Sequence, residues 1–155
     1  MVSPTLPQPD AVARLLRDLF GRGVTPKKAA PPGPAVKVCG GAYEDDAGTL
    51  MSVCLCDLPL AASRGAALVL FPPGAAAEAV RLGKLTPEMF ENLREVFNIM
   101  AGLFGGLHIR LREAWQVTDV VLAPVSALVA RPRARLDLEL AVAGYNGGRL
   151  SLLVA

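Results

Sequence analysis

A row of polar residues between positions 91 and 102 is the part of this sequence best suited to chemistry at a surface. Glu91, Glu95, Asn98 and Gly102 follow one another at intervals of four, three and four residues. At about 100° of rotation per residue, this spacing places them within a sector of roughly 60° on one side of an α-helix. The row offers two negative charges and a carboxamide, which both donates and accepts hydrogen bonds. It ends at a glycine, where another molecule can approach the backbone closely.

The helix that must carry this row is well marked. Thr86 is the predicted N-cap and Pro87 takes the favoured first position. Leu85 and Phe90 have the spacing of a hydrophobic staple. Apolar residues cluster on the side opposite the polar row, namely Leu93, Val96, Phe97, Met100 and Phe104. The pattern predicts an amphipathic helix from Thr86 to about Phe104, ended by the Gly-Gly pair that follows.

The remaining elements are predicted from periodicity and from turn residues. Asp10 is the predicted N-cap of a first helix that stops at Gly21, and residues 23–34 form a proline-rich connector, read as an exposed loop or a mobile tether. Strands are predicted at 35–43, 49–57, 66–71, 107–117 and 136–142, a short helix at 75–82, and a last strand after an Asn-Gly hairpin turn at 145–148. This order predicts an α+β fold, with a mainly antiparallel sheet and the long motif-bearing helix and one or two shorter helices packed on it.

The composition favours one domain in a reducing compartment. The chain has 155 residues, of which 52% are hydrophobic and 19% charged, and a net charge of +2. That charge is too small to indicate nucleic acid, and the arginines at 110, 112, 131, 133 and 135 lack interleaved aromatic residues, so they are expected to keep a sheet edge or loop soluble. We find no signal peptide and no apolar stretch of about 18 residues. We therefore expect a cytoplasmic protein that binds neither membranes nor nucleic acid.

Three cysteines are present, which is not a disulfide framework. Cys54 and Cys56 project two thiols to one face of a predicted strand, and His108 would be the third ligand of a hypothetical metal site. The Cys-x-Cys spacing is not the usual one for metals, and free cysteines commonly behave as small buried hydrophobic residues. We predict no metal site.

The polar row and its surroundings resemble the CheC/CheX/FliY family of chemotaxis phosphatases. That family carries an acidic or serine position, then Glu-x-x-Asn, then a glycine four residues later, and the matching residues here are Glu91, Glu95, Asn98 and Gly102. The resemblance covers roughly residues 35–155, with 1–34 as an N-terminal helix and connector of what is expected to be one domain overall. A single motif is the arrangement of the CheX type. Leu103 departs from the family, which often has asparagine at that position.

The resemblance implies an enzyme that removes phosphate from the aspartyl phosphate of a CheY-type response regulator. Asn98 would hold the attacking water in line with the phosphorus, and Glu95 would dock the regulator by pairing with a lysine beside its phosphorylation site. Glu91, Ile99 and Gly102 would contact the partner. The Mg²⁺ would belong to the regulator, so no cofactor is expected in this chain.

Alternatives stay open at this point. The row would also arise by chance on a solvated helix face. A non-catalytic adaptor of the same fold, which binds a regulator or a flagellar-type partner, is favoured by Leu103 and by the missing second motif. A third alternative is a self-associating module, in which the C-terminal strand pairs edge to edge in a homodimer.

Overall fold

The computed structural model describes residues 3–33, 36–68, 72–105 and 108–155. The helices are α1 (Pro9–Phe20), α2 (Leu58–Leu68), α3 (Pro73–Leu82), α4 (Pro87–Met100) and α5 (Ala123–Ala130). The strands are β1 (Val24–Lys28), β2 (Val38–Glu44), β3 (Leu50–Asp57), β4 (Arg110–Trp115), β5 (Ala134–Val142) and β6 (Tyr145–Val154). Positions 34–35, 69–71 and 106–107, on which parts of the predictions fall, lie outside the described residues.

The strands form a single antiparallel sheet in the order β1-β5-β6-β3-β2-β4. The predicted α+β class with a mainly antiparallel sheet is therefore confirmed. The expectation that the C-terminal strand offers an edge for a homodimer is wrong, because β6 lies between β5 and β3. The edges are β1, which carries Pro26, Lys27 and Lys28, and β4, which carries Arg110 and Arg112. Proline and charged side chains at such positions discourage further strand pairing.

Helices cover both faces of this sheet. On β3, Cys54 and Cys56 belong to the buried cluster of the first four helices, whereas Val53 and Leu55 belong to the cluster of α5. The alternation follows from the two-residue period of a strand. Each of the first four helices adds buried residues to the larger cluster, among them Leu16 from α1, Leu60 from α2, Ala79 from α3 and Phe97 from α4. The polar row of α4 can therefore face only outward.

The N-terminal segment is part of this structure rather than a tether. Helix α1 buries Val12 and Leu16, and its N-cap is Gln8, so Asp10 lies in the first turn instead of capping it. Gly21, at φ 63°, ends the helix as predicted. The connector is not a loop throughout, because β1 pairs with β5. Its proline is tolerated there because an edge strand leaves half of its N–H groups unpaired. The division of the chain at residues 34–35 stays a prediction.

Two further predictions were wrong. Residues 66–68 belong to helix α2 rather than to a strand, and the Asp57 carboxylate starts this helix by accepting a hydrogen bond from the Leu60 N–H at 3.0 Å. The final hairpin turns at residues 143–144, where Gly144 has φ 84°, and not at 145–148. Gly147 lies within β6, where a Cβ atom would stand 1.8 Å from the Leu140 carbonyl oxygen. The glycine is needed there for close packing and not for a turn.

The other predicted elements are present with shifted ends. The strands predicted at 49–57 and 136–142 correspond to β3 and β5, the helix at 75–82 corresponds to α3, and β4 is shorter than the predicted 107–117. Helix α5 had no counterpart among the predictions. In the ranges given above, no helix is both long enough and apolar enough to cross a membrane.

Gly40 tests the packing of the α5 face. A Cβ atom on Gly40 would lie 2.1 Å from the Trp115 ring, so an alanine would force this buried indole away from the sheet. We expect Gly40→Ala to lower the free energy of unfolding by about 1–3 kcal/mol, measured by urea denaturation. Gly74→Ala is the matched control, because its Cβ would meet nothing within 4 Å. Equal stability of the two variants would contradict this account of the packing.

Candidate functional site

Helix α4 starts and packs as its sequence predicts. The Thr86 hydroxyl accepts a hydrogen bond from the Met89 N–H at 3.2 Å, and Pro87 occupies the first position. The apolar face is buried and comprises Met89, Leu93, Val96, Phe97 and Met100. The α-helix ends at Met100 and continues as a 3₁₀ turn over Ala101–Phe104, after which Gly105 has φ 81°. The predicted amphipathic division is confirmed.

The sheet holds the turn of α4 from which Asn98 projects. The buried Tyr43 hydroxyl of β2 donates a hydrogen bond to the Phe97 carbonyl at 2.7 Å. The Tyr43 ring also contacts Phe104, with ring centroids 5.2 Å apart. Gly41 leaves room for Phe97, because a Cβ atom there would lie 3.2 Å from its ring. A hydrogen bond and two ring contacts therefore fix the backbone next to Asn98.

The predicted site residues lie together on the outer face of α4. Glu91, Glu95, Asn98 and Gly102 are exposed, and Ile99 beside them is 37% exposed. Within the described residues, the side chains of Glu91, Glu95 and Asn98 form no hydrogen bond or ion pair. A Cβ atom on Gly102 would meet nothing within 4 Å, so internal packing does not require a glycine there. The polar row therefore makes no polar contact that stabilises the described fold, and the space above Gly102 is open to an approaching molecule.

A shallow depression of about 320 Å³ runs along this row. Its lining residues are Glu91, Arg94, Glu95 and Asn98 from α4 and Leu111 from β4. Arg94 was not singled out from the sequence, although its position four residues before Asn98 is the spacing of neighbours on a helix surface. The depression therefore combines two carboxylates, a guanidinium and a carboxamide beside one apolar side chain.

The basic side chains near this end of the sheet lie close to carboxylates. Arg110 approaches the Glu44 carboxylate at 3.0 Å and Arg112 approaches it at 3.7 Å. His108 Nδ1 lies 3.8 Å from the Asp46 carboxylate. Both arginines in the described part of β4 are therefore already in contact with a carboxylate.

The five arginines considered as a basic face do not gather on one surface patch. Arg133 donates hydrogen bonds to the carbonyls of Pro4 and Ala155, and Arg135 pairs with Asp137 at 2.8 Å. Burial would raise the pKa of Asp137, but hydrogen bonds from Arg135 and Ser151 hold that pKa below its ordinary value of 3.8. Arg133 and Arg135 therefore serve local contacts.

The imagined cysteine–histidine site is not formed. Cys54 and Cys56 are buried in β3, whereas the His108 side chain is 91% exposed. Among the residues that the structure describes, no group of three or more histidine, cysteine, aspartate and glutamate side chains is placed to hold a metal ion.

Comparison with known proteins shows the fold. No protein-family model matches the sequence, and a search of curated proteins gives no match. A chain from the crystal structure of the CheX–CheY–BeF3–Mg²⁺ complex of Borrelia burgdorferi is 14% identical, with a TM-score of 0.52 and coverage of 94% of this chain and 93% of that one. The FliM middle domain of H. pylori is 9% identical, with a TM-score of 0.51 and coverage of 94% and 84%. The predicted CheC/CheX-like fold is confirmed.

Tyr43→Phe tests how the site backbone is held. The variant leaves the Phe97 carbonyl without its hydroxyl donor, so we expect the free energy of unfolding to fall by about 1–2 kcal/mol. Amide hydrogen exchange in the last turn of α4 should be faster than in the wild type. Tyr145→Phe is the control, because its ring lies at the β5–β6 hairpin beside Arg22. Equal exchange of α4 amides in both variants would show that the hydroxyl does not hold this turn.

Proposed function

We propose that this protein is a phosphatase that hydrolyses the aspartyl phosphate of a CheY-type response regulator. The observation that carries the proposal is the pair Glu95 and Asn98, which are exposed, lie one helical turn apart, and form no side-chain hydrogen bond or ion pair within the described structure. The fold of this protein is similar to that of a chain crystallised in a complex containing CheY, which supports a CheY-type regulator as the partner.

The chemistry requires a positioned water and little else from this chain. The water oxygen forms a bond to phosphorus while the bond between phosphorus and the aspartate oxygen breaks. The aspartate leaves as a carboxylate. The inorganic phosphate keeps the oxygen and one proton of the water, and the other proton passes to solvent. Asn98 accepts a hydrogen bond from the water through its carboxamide oxygen and holds it in line with the breaking bond. The uncharged carboxamide does this at any ordinary pH.

The rest of the row docks the regulator. Glu95 pairs with a lysine beside the phosphorylated aspartate, and Glu91 lies one turn earlier on the same face. Ile99 supplies an apolar contact, and Gly102 lets the partner approach the backbone, since nothing in the described structure fills the space above it. The Mg²⁺ of the reaction belongs to the regulator, where it neutralises phosphoryl charge.

A non-catalytic adaptor is the second candidate. It would bind a regulator or a flagellar-type partner through the same face. Leu103 and the missing second motif favour it. The fold comparison does not separate the two candidates, because the FliM middle domain and the CheX–CheY complex chain match at nearly equal TM-scores, 0.51 and 0.52. An adaptor would bind phosphorylated and unphosphorylated regulator equally and would release no phosphate.

Phosphate release from a panel of phosphorylated response regulators of the same organism tests the proposal. We expect Asn98→Ala to lower the rate at saturating regulator by about 100-fold, because the water is no longer aligned. Glu95→Ala should mainly raise the regulator concentration needed for half-maximal rate, since it removes a docking contact.

Glu88→Ala is the control for Glu95→Ala. Both glutamates are exposed on α4, but Glu88 lies in the first turn and does not line the depression. Unchanged release in a folded Asn98→Ala protein would refute the water-positioning role. No acceleration by the wild type across the panel, with equal binding of both regulator forms, would establish the adaptor.

A further inference from the structure

Arg94 flanks the polar row on the side of Asn98. It is exposed on α4 and lines the same depression as Glu91, Glu95 and Asn98. At about 100° per residue it stands roughly 40° around the helix from Asn98, one turn away. Ile99 stands at a similar angle from Glu95 on the opposite side. The row therefore has a cationic border next to the carboxamide and an apolar border next to the docking glutamate.

The Arg94 guanidinium is available to a partner. Within the described ranges it forms no ion pair or hydrogen bond, although Glu91 lies at the i, i+3 spacing at which helical pairs form. The cations of the neighbouring segment are different, since Arg110 and Arg112 share Glu44. An exposed pair with Glu91 would add little stability, so an incoming anion has no strong internal contact to displace.

The geometry of Arg94, rather than the net charge around it, favours a phosphoryl group. Two carboxylates line the depression with it, so any anion meets net negative charge there unless Glu95 is paired with the partner's lysine, as the proposed function has it. Glu91 and Arg94 then balance, and the planar guanidinium can donate two parallel hydrogen bonds to the oxygens of a phosphoryl group. Asn98 is the neighbour of Arg94, and the water that Asn98 holds must stand next to the phosphorus.

We propose that Arg94 binds phosphoryl oxygens of the partner's aspartyl phosphate and makes this site selective for the phosphorylated regulator. The inference rests on the proposed function and adds a phosphoryl-binding residue to it. Arg94 forms no bond to phosphorus and moves no proton. It holds the group while the water attacks and offsets charge that spreads over its oxygens.

The test compares Arg94→Ala, Arg94→Lys and Arg131→Ala with the wild type. Arg131 is also exposed but follows α5 on the opposite face of the sheet, so its removal changes the net charge equally without touching α4. Two quantities are measured for each protein: kcat/KM for phosphate release, and the ratio of Kd values for the unphosphorylated and phosphorylated regulator.

We expect Arg94→Ala to lower kcat/KM by about tenfold or more and to bring the Kd ratio close to one. Arg94→Lys should be intermediate, because it keeps the charge and loses the two-pronged geometry. Arg131→Ala should match the wild type. Equal weakening of both regulator forms by Arg94→Ala would overturn the inference, because Arg94 would then contact a fixed acidic group.

The two proposals fail in different ways. If the wild type releases phosphate, Asn98→Ala does not, and Arg94→Ala equals the wild type, the Arg94 inference is wrong and the phosphatase stands. If the wild type releases none, the phosphatase is wrong. Selective loss of affinity for the phosphorylated form in Arg94→Ala would then still support phosphoryl binding by Arg94.

Discussion

The seam between α4 and strand β2 is the contact on which the candidate site depends. Phe97 lies over Gly41, Tyr43 holds the Phe97 carbonyl, and Phe104 packs on the Tyr43 ring. Because one face of the helix is fixed in this way, the opposite face keeps its direction without any contact of its own. The exposed side chains need no internal partners, and they stay free for binding. A well-packed helix backbone beneath exposed polar side chains suits recognition of a small charged group.

Much of this region follows from local signals. Capping by Thr86, the proline after it and the apolar period of α4 act within a few residues, so the sequence alone indicates where the helix starts and which face it buries. Strands β3 and β5 are similarly evident. The continuous apolar residues of β3 indicate a strand buried on both faces, and the alternating apolar residues of β5 indicate a strand buried on one face. The family resemblance added the roles of Glu95 and Asn98, which no periodicity would supply. Those roles stay predictions.

Several of the failures involve contacts between distant parts of the chain. Strand β1 forms because its backbone pairs with β5, more than 100 residues later in the chain. Nothing in the proline-rich sequence of this segment indicates that pairing. An apolar, alanine-rich run after Asp57 suits a buried strand and a buried helix equally. The glycines of β6 serve a close approach to β5 and to Asp57 rather than a turn. The sequence does not distinguish Arg94 from other exposed arginines, because whether an arginine forms an ion pair depends on the folded structure.

Because different helices cover the two faces of the sheet, the position of the tryptophan determines which part of the structure its fluorescence reports. Trp115 is the sole tryptophan, 5% exposed in the α5 cluster, with its ring across Gly40. Leu111, on the same strand, borders the depression on the other face, about 13 Å along the backbone. The indole therefore senses whether α5 is seated on the sheet. A molecule that docks on α4 would contact the opposite face of the sheet, so we expect intrinsic emission to report the packing of α5 rather than docking.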